Sequence, residues 1–548
     1  MKPADTRGFP REPTLSPWRR RMEAVALSLL GGVIWLLAVR FEATGPLLAL
    51  AFVLLVTPAA VERWSAPLWG YVPGHFLYCI LGHIPASKYT ALAFLVLPIV
   101  LSWSYFTQAV FAGALRRHTT LPAWITIPVA LGAGEWLRPF LDPGGFNMYQ
   151  IGSFLFHWPL LIQAADIVGS AGLTVLIALP FAAGVEALRL WTGSAKATHR
   201  SVATGGLASM AVLALLIGYG LWRETTVPAE DGPRIAIIQP SLDHGRDLIE
   251  SVLTEQQLMT ARWVEPGQAD IVVWPENAIL APLEYVDAYR KTVAWVASSR
   301  EAMLLLGAQG FDPLTGKRPT NSVYLIDKEG KIVGRYNKVV LFPFTERRVF
   351  PAMERLWPWL SKQIVRLTLI AWEDAPNGWG APDAIPLHAR IAGKDWTFWT
   401  PICYETCYSS PARDARLQGA RFFVNLTSEG WLGWGTTRNM LGVSILRAVE
   451  NRVGVVRAAN AGISCFINPT GRVDAFLVGD KHGRRLLDAG HLMRRVRAGG
   501  PNPTIYAQFG AWMDGLWFML ALLILFGTWL SRFAGRWRQS PQPPQEMS

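Results

Sequence analysis

The stretch DWTFWTPICYE (395–405) decides how this chain is read. Its aromatic, β-branched first half has the composition of a strand. Cys403 and Glu405 follow at what would be the carboxyl end of that strand. A free cysteine is usually a small buried hydrophobe. With a glutamate two residues on, it is equally a candidate nucleophile, and the rest of the chain has to decide between the two.

The bulk composition bounds the setting. A chain of 548 residues that is 51% hydrophobic and 17% charged, with 25 tryptophans, is too long for one ordinary core and too apolar for an average soluble enzyme. The formal charge of +12 raises nucleic acid as a partner. However, the Lys and Arg residues lie in short groups beside apolar runs, with no basic domain, so nucleic-acid binding is not expected. Cys79, Cys403, Cys407 and Cys465 show neither a CxxC pair nor Cys/His zinc spacing. A disulfide framework, a structural metal and a metal cofactor are therefore unsupported.

Apolar runs near 23–39, 45–61, 68–86, 90–114, 121–140, 166–188, 205–222 and 512–530 approach the ~20 residues that a bilayer core requires. Pro73, Gly74, His75 and His83 weaken the third run, and Glu135 weakens the fifth. With a cytoplasmic N-terminus, the inside segments hold fifteen lysines and arginines, from Lys2 to Arg538. The short outside loops hold only Arg40, Lys88, Arg138 and Arg223, the asymmetry that the positive-inside rule demands. Arg40, Phe41 and Glu42 follow the first run where a cleavage site needs small residues, so an uncleaved anchor is expected. The expected organisation is a cytoplasmic segment at 1–22, a membrane domain of seven helices at 23–224, an extracytoplasmic domain at 225–511, a last span at 512–530 and a disordered cytoplasmic tail at 531–548. The fold class is a multi-span α-helical membrane domain plus a layered α/β domain.

Within that inserted domain, RIAIIQP (234–240), DIVVWPE (270–276), AMLLLGAQ (302–309), NSVYLID (321–327), RFFVNLTS (421–428) and VGVVRAAN (453–460) are further strand candidates. Several are apolar enough to be buried on both faces. Helical patterns occupy 284–299 and 435–451. Functional side chains collect at strand carboxyl ends in such domains. Here those ends carry Glu276, then Lys338 and Glu346 of KIVGRYNKVVLFPFTE, then Cys403 and Glu405. A carboxylate that takes a thiol proton, an ammonium that stabilises an oxyanion and a thiolate that carries an acyl group form a kit for acyl transfer. The structural alternatives are a strand-end turn residue for Glu276, a solvated lysine for Lys338 and a core residue for Cys403.

The order WPE (274–276), NK (337–338) with Glu346 eight residues on, ICYE (402–405) and NPTGR (468–472) resembles the nitrilase, or carbon–nitrogen hydrolase, superfamily. The eight apolar runs around it make the chain similar to that superfamily's apolipoprotein N-acyltransferase family. The resemblance implies an α-β-β-α sandwich with Glu276 as general base, Lys338 as oxyanion stabiliser and Cys403 as nucleophile. Glu346, Tyr404 and Glu405 would support the site, as would Trp431 of NLTSEGWLG (425–433) and Asn460 of RAVENRVGVVRAANAGISCFINPTGRV (447–473). It implies a phospholipid acyl donor, an apolipoprotein acceptor, a bacterial inner membrane, no cofactor and a monomer.

Four departures from the family pattern bear on substrate contacts: Ser241 after the first strand, Leu248 where a tryptophan is usual, Met440 where a histidine is usual, and Ser428-Glu429 in place of Asn-Asp. A membrane-anchored amidase, or a conjugal-transfer paralogue with another substrate, would use the same triad. The insert RVFPAMERLWPWLSKQIVRLTLIAW (348–372) reads either as a segment lying in the membrane interface or as a packed covering helix.

Overall fold

The computed structural model describes residues 17–40, 47–61, 107–141, 147–148, 150–192, 197–241, 249–313, 316, 318–342, 346, 358–359, 380–429, 434–477 and 489–538. The 348–372 insert, apart from Pro358 and Trp359, lies outside them, as do His75, His83, Leu248 and Trp431.

The helical part comprises α1 (Pro17–Arg40), α2 (Leu47–Val61), α3 (107–118), α4 (Ala123–Leu141), α5 (Ala165–Trp191) and α6 (His199–Thr226), joined after the α/β domain by α11 (Ile505–Arg538). Three described helices, α5, α6 and α11, are long and apolar enough to cross a membrane. The last begins seven residues before the apolar run at 512, because Ile505 to Ala511 continue the helix down from the α/β domain. α5 is broken at Gly169, whose φ of +66° only glycine adopts without strain. Tyr506 of α11 packs against that break, where a Cβ would collide with its ring.

The α/β domain holds two sheets. The first runs β13–β1–β2–β4–β5–β6 (Gly490–Gly499, Ala229–Gln239, Ile271–Val273, Met303–Phe311, Pro319–Ile326, Ile332–Asn337), with β3 (Ile279–Pro282) also on β4. The second runs β12–β11–β10–β9–β8–β7 (Val473–Phe476, Cys465–Ile467, Gly454–Ala459, Phe422–Thr427, Lys394–Trp399, Leu387–Ile391). Strands pair in parallel along β1–β2–β4, with β3 also parallel on β4, and along β8–β9–β10. Parallel neighbours need crossovers. These are α7 (Ile249–Trp263) and α8 (Asp287–Arg300) on the first sheet, and α9 (Ser409–Leu417) and α10 (Trp434–Asn451) on the second.

The two-residue period of β1 builds the layers. Ala236 and Ile238 join Leu253, Val293 and Val296 under the outer helices. Ile235 and Ile237 face the other way, into a core shared with Phe398, Phe422, Val424 and Val455 of the second sheet. The result is the α-β-β-α sandwich of a nitrilase-like domain. β9 and β10 are buried at every residue, as sandwiched parallel strands must be. Ala229 pairs with Gly499 in the β1–β13 ladder, so the chain leaves α6 and returns to α11 at one place. The two ends of the inserted domain therefore lie side by side.

Candidate active site

Three strand ends meet at one point. Glu276 follows β2, Lys338 follows β6, and Cys403 opens a tight 3-10 turn, Cys403–Cys407, after β8. All three are buried. Room for the Glu276 turn comes from Gly307 on β4, where a Cβ would lie 2.7 Å from the Pro275 carbonyl oxygen and 2.8 Å from the Glu276 Cα. Cys403 has φ +50°, a left-handed conformation that costs a non-glycine residue about 1–3 kcal/mol and survives only where its surroundings fix it.

Lys338 is the hub. Its Nζ donates to the Glu346 carboxylate at 2.9 Å and to Glu276 Oε1 at 3.3 Å. Asn321 Nδ2 donates to Oε1 of both glutamates at 2.8 Å, and the Phe342 amide holds Glu346 Oε2 at 2.7 Å. Burial alone would lower the lysine, but Glu346 and Glu276 outweigh it and hold the ammonium above its ordinary range. Burial pushes the Cys403 thiol well up, and the Glu276 carboxylate adds to this. Lys338 and the Thr427 hydroxyl oppose both. At neutral pH the site thus holds a neutral thiol beside an ammonium, and the proton needs a base before sulfur can attack.

Glu405 bolts two of these strand ends together. Its Oε1 accepts from the Val339 and Val340 amides just past Lys338 and from Tyr336 Oη at 3.0 Å, while Oε2 accepts from the Ile402 amide at 2.7 Å. Burial raises it to about 7, against the pull of the Ile402 amide, Lys338 and the Val339 and Val340 amides. Tyr404 points elsewhere: its hydroxyl accepts from the Asn147 amide at 2.6 Å, in the helical part of the molecule. Asn460 frames the site through its backbone, its amide donating to the Thr427 carbonyl at 2.9 Å and its carbonyl accepting from the Ser241 amide at 2.8 Å.

Two of the sequence departures prove to be packed into this frame. Glu429 is fully buried and ion-paired to Arg457, and its Oε1 accepts from the Thr427 hydroxyl at 3.0 Å. Met440 is buried on α10, with its sulfur 3.5 Å from Cys407 Sγ and its carbonyl accepting from Arg457 at 3.2 Å.

Asn321, Thr427 and Arg457 join the site although the sequence reading does not place them there. Arg457 carried a signal, a lone charge inside the apolar run VGVVRAAN. Thr427 carried none for the site, since the Asn425-Leu426-Thr427 match to a glycosylation sequon lies on an apolar strand and says nothing of catalysis. Among the described residues no group of three or more His, Cys, Asp or Glu is placed to hold a metal ion.

Together, the paired sheets, the strand-end cluster and the helical base define a carbon–nitrogen hydrolase domain built into a helical membrane protein. Residues 234–482 match the carbon-nitrogen hydrolase family model. An apolipoprotein N-acyltransferase of Agrobacterium fabrum is 32% identical over 454 residues, covering 79% of this chain and 78% of its own. One from Geobacter metallireducens is 28% identical over 473 residues, covering 82% and 85%. The solved amidase of Nesterenkonia sp. is 21% identical, covering 52% of this chain and 95% of its own, with a TM-score of 0.36. This chain belongs to the apolipoprotein N-acyltransferase family.

Proposed function

We propose that the protein transfers a fatty acyl chain from a phospholipid, through a thioester on Cys403, to the N-terminal amine of the diacylglyceryl-cysteine of an apolipoprotein. The observation that carries the reading is the convergence of Glu276, Lys338 and the strained, buried Cys403, with Glu346 and Asn321 fixing the first two. The names of the relatives supply the acceptor class.

In the first half-reaction Glu276 takes the thiol proton as sulfur attacks the ester carbonyl, and the Lys338 ammonium faces the oxyanion. Collapse of the tetrahedral intermediate breaks the C–O bond, forms the thioester and releases a lysophospholipid that carries the proton from Glu276. In the second, the acceptor amine attacks the thioester, Glu276 removes the amine proton, and the C–S bond breaks. The amide leaves, and the proton returns to the Cys403 sulfur. Water would end the thioester unproductively, and burial of the site holds it back. The proposed arrangement places residues 225–511 outside the cytoplasm of a bacterial inner membrane, between spans at 23–224 and 512–530, in a monomer.

The test is to incubate the detergent-purified protein with phosphatidylethanolamine and weigh the peptide carrying Cys403. The expected result is a hydroxylamine-labile fatty-acyl adduct, absent in Cys403→Ala. No adduct, with release of free fatty acid or of ammonia from amides instead, would turn the reading toward the hydrolase that the same triad could serve.

A further inference from the structure

Two sets of polar contacts, joined through the backbone of Asn147 with Met148 and of Gln150 with Ile151, lead from a membrane-domain helix to the turn that carries Cys403. In α4, Glu135 and Arg138 are both buried and lie 3.8 Å apart. Each holds the segment that follows: Arg138 Nη1 donates to the Met148 carbonyl at 3.0 Å, and Glu135 Oε1 accepts from the Ile151 amide at 2.7 Å. The segment in turn grips the turn. The Asn147 amide donates to Tyr404 Oη at 2.6 Å, Asn147 Nδ2 donates to the Cys407 carbonyl at 3.0 Å, and Gln150 Nε2 donates to the same carbonyl at 3.3 Å.

The turn needs such support. Cys403 sits at φ +50°, and its carbonyl is tied within the turn by Thr406 Oγ1 at 3.0 Å. A strained residue relaxes unless its neighbours over-determine it. Glu405 fixes the turn on the side of the α/β domain. On the side that faces the helical part, the Asn147 and Gln150 contacts hold it. The buried charges of Glu135 and Arg138 in an apolar helix are costly unless they do something that apolar side chains could not. Here they satisfy backbone groups of an irregular segment at the edge of the membrane domain.

We propose that Asn147, Met148, Gln150 and Ile151, held by the Glu135–Arg138 pair, form a positioning brace that sets the geometry of the Cys403 turn, so that the membrane domain is part of the acyl-transfer machinery as well as its anchor. This rests on Cys403 being the nucleophile. The Asn147 and Gln150 side chains act through the Cys407 carbonyl, the Asn147 amide acts through Tyr404, and Glu135 acts through the Ile151 amide, so Asn147, Gln150 and Glu135 are positioning residues.

The experiment uses the full chain in detergent with the double variant Asn147→Ala/Gln150→Ala, which removes both side-chain donors to the Cys407 carbonyl and leaves the Glu135–Arg138 pair intact. The expected result is a fall of about tenfold in the rate of thioester formation at saturating phosphatidylethanolamine, with KM within about twofold, because a small displacement of a reacting group is enough for such a loss. The thermal midpoint is expected to fall by only a few degrees. Alkylation of Cys403 by iodoacetamide, which needs no lipid, is expected to speed up severalfold as the turn loosens. Glu135→Ala is expected to give the same pattern.

Unchanged thioester formation and unchanged alkylation in the double variant would overturn the brace. So would losses that merely follow the fraction of protein unfolded. If the wild type forms no thioester, the thioester reading fails, while the alkylation comparison still decides the brace.

Discussion

At the residue scale, the cluster separates two jobs that one residue could not combine. Lys338 has to remain charged in a buried place, and two carboxylates make that possible. In the proposed mechanism Cys403 has to lose a proton in the same place, and the Lys338 ammonium beside it favours the thiolate. Lys338→Met should therefore act on the thiol as well as on the oxyanion. The expected outcome is slower alkylation of Cys403 by iodoacetamide, with the midpoint of its pH dependence moved upward from wild type. An unchanged midpoint would mean that the ammonium does not reach the sulfur.

At the element scale, the site depends on how closely strands pass beside its turns. β4 runs past the Glu276 turn, and the missing side chain of Gly307 is what lets it. Gly307→Ala puts a methyl group within 2.7–2.9 Å of Pro275 O, Glu276 Cα and Asn277 N, all of them backbone atoms that cannot swing aside. The strand or the turn must move. We expect thioester formation to fall about tenfold or more, in line with the sensitivity of catalysis to sub-ångström placement. Stability should drop by about 1–3 kcal/mol, as for overpacked cores. Single-turnover kinetics beside a denaturant titration of the same sample would separate the two. A loss of stability with full activity would show that the strand yields and the Glu276 turn does not.

On the scale of the whole molecule, the two parts share buried polar contacts, and some of these tie pH to folding. Arg452 of the α/β domain reaches Asp166 and Gln163 of the helical part. Glu450 accepts from the Ser170 amide at 3.2 Å and from Arg447 at 3.1 Å. Burial raises Glu450 to about 7, as it does Glu405. The folded protein therefore binds more protons than the unfolded chain between the ordinary carboxyl value of 4.5 and about 7. Where the folded state holds the extra protons, stability falls as pH rises. Each group contributes at most about 1.4 kcal/mol per pH unit within that window. The contribution is fully present below the unfolded value and gone above about 7. Thermal midpoints in detergent should accordingly decline from pH 5 to pH 7.5, and Glu405→Gln should show a shallower decline than wild type. Equal slopes would mean that Glu405 stays ionised throughout.

The sequence by itself determined the strands that carry the candidate site. Runs such as RIAIIQP, RFFVNLTS and VGVVRAAN are apolar on both faces, and only a sandwiched strand tolerates that pattern. The order of WPE, NK and ICYE along the chain was enough to select Glu276, Lys338 and Cys403 as candidates, because the reactive residue types stand at strand ends.

Only the tertiary structure decided what surrounds them. Asn321 bridges Glu276 and Glu346, residues 45 and 25 positions away, and no local pattern marks such a contact. Tyr404 was legible as a neighbour of Cys403, but its hydroxyl meets Asn147, 257 residues earlier. Glu135 read as a flaw in an apolar helix, yet it satisfies the Ile151 amide. The physical reason is the same each time. Burial against a neighbour one or two strands away leaves a periodic imprint on the sequence. A hydrogen bond between distant segments is specified at each end by one polar residue, which looks the same whether its partner is water or a backbone amide hundreds of residues away.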